Sequence, residues 1–215
     1  PANASRTLLF DYQTGRWSEE LVGLFGIPQS FLPEPVTSSY SYGMLNASGV
    51  SAPLQIVTGD QSAALFAFGE LRSNTVYANL GTGAFLQRPL GSDPISVPGL
   101  LNSVVYSDKK RTDYVLEGTV NGAGSAVNYM AHELQLAPKW VETHLAQSLD
   151  EVAEPPLFLN GVSGLGAPWW IADFRSHFLC ASEDSASPSQ DAAEKMTAVI
   201  ESIVFMLQTN FELCV

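Results

Sequence analysis

A layered α/β protein with a mixed sheet is what this sequence predicts, and three observations carry that reading. Short β-rich runs alternate with runs of helical periodicity along the chain. Some consecutive strands are joined by turns too tight for a crossover helix, so the sheet is mixed and not purely parallel. The composition is 46% hydrophobic and only 15% charged, against about 25% charged in an average globular chain. At 215 residues such a chain can bury a real core in one or two domains.

The elements follow in order. Residues 18–25 have the pattern of a short helix, with Gly26 as its stop and Pro28 beyond. Residues 28–53 are rich in Pro, Ser and Gly, with one short strand expected near 40–43. A strand at 54–57 gives way to a helix at 61–69, and strands follow at 75–80, 84–88, 103–106 and 113–117. A helix from Gly122 to Leu134 puts Ala123, Ala126, Val127, Met130 and Leu134 on one face, and a second covers 139–147. Ser187, Pro188 and Gln190 have the signature of a helix start. Met196, Val199, Ile200, Ile203, Val204, Leu207 and Phe211 then recur at helical spacing, so apolar that burial of most of the surface is expected. No glycine or proline stop follows before Val215, and the chain starts at Pro1 without methionine, so a fragment truncated at both ends is expected.

Charge and rare residues narrow the function. The net charge is −12, from 22 acids against 10 bases, and no basic face is evident, so a nucleic-acid partner is not expected. Lys109, Lys110 and Arg111 follow Ser107 and Asp108 between two strands and read as a solvated turn. Cys180 and Cys214 are far apart without a CxxC and read as buried thiols. His132, His144 and His177 lack paired spacing, so no metal-ligand motif is read. The N-x-S sequons at Asn3 and Asn46 have no signal peptide with them and read as chance. No apolar run approaches the roughly 20 residues that span a bilayer, so no membrane partner and a cytoplasmic location are expected.

Two polar signals interrupt the apolar elements. Gly59-Asp60-Gln61 lies where the strand at 54–57 gives way to a helix. Asp60 reads either as a helix N-cap or as a general base at the carboxyl end of a strand, where α/β sheets place their ligands. Gly81-Thr82-Gly83 reads either as a tight hairpin turn whose glycines supply φ > 0, or as a loop whose amides and Thr82 hydroxyl approach phosphate oxygens. A third cluster, Gly118-Thr119-Val120-Asn121-Gly122-Ala123-Gly124, opens a helix. It either close-packs that helix or exposes its positive end to a nucleotide. Neither GxGxxG nor GxxxxGK[ST] is present.

Taken in order, NASRTLLFDYQTGRWSEELVGLFGIP, TGDQSAALFAFG, ANLGTGAFL, LEGTVNGAGSAVNYM and NGVSGLGAPWW resemble the FGGY family of carbohydrate kinases over essentially the whole chain. The resemblance implies a ribonuclease-H-like fold of the actin and Hsp70 type, with ATP and sugar between two domains. Residues 1–69 would be the end of the first, sugar-binding domain, and 70–215 most of the second, nucleotide-binding one. It implies Asp60 as the base toward the substrate hydroxyl, Gln61 and Phe85 as substrate contacts, and Gly81, Thr82, Gly83, Gly124 and Asn128 at the nucleotide. Asn128 stands where glycerol kinases have Gln, and the bland reading of Phe85 is a core strand residue. ATP and Mg2+ would be the cofactors, with the magnesium-associated carboxylate outside this sequence, and family members commonly form homodimers. Ser176 departs from a usual glycine. The expectation is an ATP-dependent sugar or polyol kinase, inactive as the isolated fragment. The alternative is a non-catalytic actin-like nucleotide-binding scaffold, against which the intact Gly-Asp-Gln argues.

Overall fold

Phe10–Asp11 (β1) and Arg16–Trp17 (β2) form a minimal antiparallel pair, with Phe10 and Trp17 in edge-to-face contact at 5.6 Å. The helix expected at 18–25 is α1 (Glu19–Leu24), capped by Ser18, whose hydroxyl accepts from the Leu21 amide at 3.3 Å. Gly26, at φ 64°, ends it. These coordinates come from a computed structural model that describes residues 1–152, 154–179 and 191–215. They divide into two units, Pro1–Val76 with Arg88–Ser96 and Leu101–Glu117, and Tyr77–Gln87 with Val97–Leu100 and Gly118–Val215.

In the first unit the segment 28–57 departs from expectation. The regular hairpin is Met44–Ala47 (β3) against Val50–Pro53 (β4), later than the strand expected at 40–43. Ser48 and Gly49, both at positive φ, make its two-residue turn. The strand expected at 54–57 reduces to one bridge, Ser39↔Ile56, flanked by Tyr40 N–H to Gln55 O and Tyr42 N–H to Leu54 O, both 3.0 Å. Next comes the helix α2 (Asp60–Ala64), which tightens into a 3₁₀ turn at Leu65–Phe68 and ends at Gly69, φ 96°.

Four strands form one sheet in the order β5-β6-β8-β7: Tyr77–Leu80 (β5), Ala84–Gly91 (β6), Leu101–Ser107 (β7) and Thr112–Val120 (β8). Its two hairpins are antiparallel. β6 runs past 88 through Pro89, which the pairing with β5 tolerates because that pairing ends at Gln87. β8 is buried at nearly every residue, as an inner strand covered on both faces must be.

The turn from β7 to β8 holds Lys109, Lys110 and Arg111, all exposed, as the solvated-turn reading anticipates. Asp108 Oδ1 accepts from the amides of Lys110, 2.7 Å, and Arg111, 2.9 Å. The Lys110 amide first, then the Arg111 amide, holds this carboxyl below its ordinary value, with smaller help from the Tyr106 hydroxyl and the Arg111 charge. A lowered folded pKa means the contribution is complete above the ordinary carboxylate range, about pH 4, and is lost as pH falls through the folded value. Asp108→Ala is therefore expected to lower the melting temperature at pH 7, and the gap from the unmodified chain should close in acid. A gap independent of pH would assign the effect to the turn's packing alone.

In the second unit Gly124–Glu133 (α3) and Pro138–Glu151 (α4, with proline in its first turn) precede Leu157–Leu159 (β9) and His177–Leu179 (β10), an antiparallel pair in which Phe158 meets Phe178. Ala192–Cys214 (α5) closes the described chain, with Asp191 Oδ1 accepting from the Ala193 amide at 2.7 Å. The helix start read at Ser187, Pro188 and Gln190, and Cys180, lie outside the described residues. The core joins Ala84, Val120, Ala126, Met130, Phe158, Met196, Val199 and Ile203, and Cys214 is buried. The expectation that α5 is buried on most of its surface is corrected. Met196, Val199 and Ile203 face the core, but Val204, Phe205 and Phe211 are 53%, 54% and 42% exposed. Helical spacing marks a face, and a helix apolar on more than one face need not have every face covered. Among the described residues no helix is long and apolar enough to cross a membrane.

Candidate functional site

Asp60 and Gln61 open α2 in the first unit. The N-cap role read at Asp60 falls instead to Gly59, whose backbone is extended (φ −75°, ψ 159°) and whose carbonyl accepts from the Ala63 amide at 2.9 Å. Glycine caps nearly as well as the side-chain cappers, which leaves Asp60 as the first helical residue. Its Oδ1 accepts from the Gln61 amide at 2.7 Å, so it still satisfies one orphan donor of the first turn. The side chain is exposed, and its second oxygen takes no part in that bond.

Gln61 is half-buried and held from behind. Arg6 Nη2 donates to Gln61 Oε1 at 2.7 Å. The same guanidinium grips Glu117 with two bonds, Nη1 to Oε1 at 2.7 Å and Nη2 to Oε2 at 3.0 Å, and Nη1 also reaches Ser103 Oγ at 3.1 Å. Glu117, on β8, is 2% exposed. Sequence reasoning missed this pair. A signal was present, since a carboxylate ending the apolar run Tyr114-Val115-Leu116 needs a partner to be buried. What the sequence lacks is any sign that the partner lies 111 residues earlier.

The second unit carries the glycine loop. Residues 81–83 join β5 to β6 between the pair Leu80↔Ala84, and Gly81 N–H donates to Gly83 O at 2.9 Å. The hairpin reading is right in topology but wrong in its reason, since neither Gly81 nor Gly83 has positive φ. Close approach is what requires glycine at 83 and 124. A Cβ on Gly83 would stand 3.0 Å from Val120 O, and one on Gly124 would stand 2.6 Å from Gly81 O. The loop is seated on the start of α3: Gly124 N–H donates to Gly81 O at 2.9 Å, and Ala123 and Ser125 N–H both donate to Thr82 O at 3.2 and 3.0 Å. Ser125 Oγ adds a third bond to Thr82 O at 3.0 Å.

Those bonds decide between the two readings of the third glycine cluster. The first amides of α3 are taken by loop carbonyls, so the cluster close-packs the helix against the loop. With the Gly81 and Thr82 carbonyls turned toward α3, the loop leaves the exposed Thr82 hydroxyl and the amides of Thr82 and Gly83 outside these bonds. That is the donor set a phosphate requires. Asn128 is exposed one helical turn along α3 from Gly124. Phe85 is half-buried between buried Ala84 and Leu86, which puts it on the opposite face of β6 from them.

A frame of buried amides supports this region. Asn160 donates to Gly122 O at 2.8 Å and accepts from the Val162 amide at 3.1 Å. Asn210 on α5 donates to Ala167 O at 3.0 Å, and the Ala167 amide donates to Thr119 O at 2.8 Å. Ser176 Oγ accepts from the Gly161 amide at 2.9 Å. Among the described residues no three His, Cys, Asp or Glu side chains gather as a metal site needs.

The chain is mixed α/β and, like its structural neighbours, has the ribonuclease-H-like fold of the actin and Hsp70 type. Residues 76–212 match the C-terminal domain of the FGGY family of carbohydrate kinases, and the chain belongs to that family. It is similar to the glycerol kinase of Aquifex aeolicus, 38% identical over 178 residues, which covers 81% of this chain and 36% of the relative. It is also similar to the glycerol kinase of Mycoplasma genitalium, 36% identical over 219 residues, covering 97% and 42%. A structure of Plasmodium falciparum glycerol kinase with ADP matches at TM-score 0.77 and 25% identity, over 98% of this chain and 42% of that one. A ligand-bound xylulose kinase from Lactobacillus acidophilus matches at TM-score 0.71 and 20% identity, over 95% and 42%, a likeness of fold alone. The chain spans about two fifths of the length of these relatives.

Proposed function

We propose that the protein containing this chain transfers the γ-phosphoryl group of ATP to a hydroxyl of a small polyol or sugar. The single observation that carries the proposal is membership of a carbohydrate-kinase family together with an intact Gly59-Asp60-Gln61 segment.

Asp60 takes the hydroxyl proton as the substrate oxygen bonds to the γ-phosphorus, and the bond from that phosphorus to the oxygen of the departing ADP breaks. The exposed carboxylate, with one oxygen outside its local bond, suits a base that must meet a substrate. Gly81, Thr82 and Gly83 offer amide and hydroxyl donors to the phosphates, Gly124 lets that loop sit against α3, and Asn128 lies along the same helix for the nucleotide. Gln61 and Phe85 contact the substrate. Magnesium, when bound to the nucleotide phosphates, supplies neutralisation of the charge on the transferring group. Positioning and charge stabilisation do most of the work in such a transfer. Residues 1–69 are proposed as the end of the sugar-binding domain and 70–215 as most of the nucleotide-binding one.

ADP release by the full-length enzyme, measured with glycerol, a set of polyols and a set of pentoses, tests the proposal. Release that depends on one of these acceptors is expected. ATP turnover indifferent to every acceptor would overturn it. The 215 residues alone are expected to release no ADP under the same conditions, because they span about two fifths of the length of the kinases they match. Clear turnover by the 215 residues would refute that expectation.

A further inference from the structure

The geometry points to Arg6 as a positioning residue that fixes which end of the Gln61 amide meets the substrate, so that the site demands an acceptor oxygen there. The inference rests on Gln61 being a substrate contact in the proposed reaction. A guanidinium only donates hydrogen bonds. Its Nη2 stands 2.7 Å from Gln61 Oε1, and a nitrogen in that place would set donor against donor. The amide oxygen is thereby committed to Arg6, and Nε2 with its two N–H groups is turned the other way. Amide ends are ordinarily ambiguous; here the chemistry of the neighbour decides.

Arg6 is itself anchored. Both terminal nitrogens hold Glu117, a carboxylate 2% exposed on β8, and Nη1 also holds Ser103 on the paired strand β7. Two hydrogen-bonded strands therefore fix the guanidinium, the guanidinium fixes the amide, and α2 fixes the backbone of both Asp60 and Gln61. Lysine cannot replace this fork, because one ammonium cannot span the carboxylate and the amide in a planar array.

The consequence is a pair of consecutive residues with opposite demands. Asp60 accepts the proton of the hydroxyl that reacts, and Gln61 donates to another oxygen of the same molecule, a hydroxyl or a carbonyl. A site built to donate rejects an analogue lacking that oxygen far more strongly than a merely apolar pocket would.

Kinetics of Arg6→Lys, Gln61→Ala, their double variant and Gln61→Glu in the full-length enzyme test this. Arg6→Lys and Gln61→Ala are each expected to raise the polyol KM about tenfold, the loss of one oriented bond, with little change in the ATP KM. The double variant should be no worse than Gln61→Ala, since both changes remove one shared interaction. Gln61→Glu keeps an acceptor for Arg6 but has no N–H, and its polyol KM should rise likewise. Effects that multiply in the double variant, an equal rise in the ATP KM, or a polyol KM within twofold of normal for Arg6→Lys would overturn the inference. Should Arg6→Lys fail to fold, a normal polyol KM for Gln61→Glu overturns it alone. An unmodified enzyme that phosphorylates no polyol or sugar removes the proposed function, and this inference with it. An active unmodified enzyme with indifferent variants removes only this inference.

Discussion

Asp60→Asn in the full-length enzyme is expected to lower kcat by roughly 10²- to 10⁴-fold, the usual range for loss of a general base, while ATP still binds. The substitution separates chemistry from structure. Asn retains an oxygen that can accept from the Gln61 amide, the bond seen at 2.7 Å, so the first turn of α2 keeps its partner. The other carboxylate oxygen becomes an NH2 group, which cannot take a proton. A circular dichroism melt should therefore be close to that of the unmodified enzyme, and the ATP KM should move by no more than a few-fold. Near-normal kcat would remove Asp60 from the base role and leave it as a helix-start residue.

Gly124→Ala is expected to destabilise the protein by about 2–3 kcal/mol and to raise the KM for ATP more than that for the polyol. In an exposed helix the same change would gain about 1 kcal/mol, so the sign depends on the neighbour. Here the new Cβ would stand 2.6 Å from the carbonyl oxygen of Gly81, a backbone atom with little room to yield. Moving that carbonyl stretches the bonds that Ala123, Gly124 and Ser125 make to the loop, 2.9–3.2 Å in the native arrangement. Each is worth about 1 kcal/mol, and overpacking itself costs about 1–3 kcal/mol. For a domain of this size that is a fall of about 4–12 °C in Tm, readable by calorimetry. An unchanged Tm would mean that the loop accommodates the methyl group and does not depend on its seat on α3.

Much of this is legible in the amino-acid sequence. Ser18 was readable as a helix start and Gly26 as its stop, because capping is decided by residues three or four apart. The turn at Lys109 and Lys110 was readable for the same reason, since Asp108 bonds amides two and three residues on. The family-like segments were readable through their order. The cap at Asp60 was read one residue late because Gly59 caps without a side chain to announce itself. At Gly83 close approach stands where positive φ is expected, because the two demands leave the same letter in a sequence.

The amino-acid sequence by itself determined most of the local elements and the family, and it supplied the residues on which the proposed site rests: Asp60, Gln61 and the 81–83 loop. The elements follow from short-range pattern, where neighbours in the chain are neighbours in space, and the site residues from the order of the family-like segments. Only the tertiary structure decided that Gly124 makes room for a carbonyl, that α5 leaves Phe205 and Phe211 exposed, and that Gln61 answers to Arg6 and Glu117. Those outcomes depend on atoms 43, 55 and 111 residues apart meeting within bonding distance. Packing sets such meetings, and no local periodicity records them.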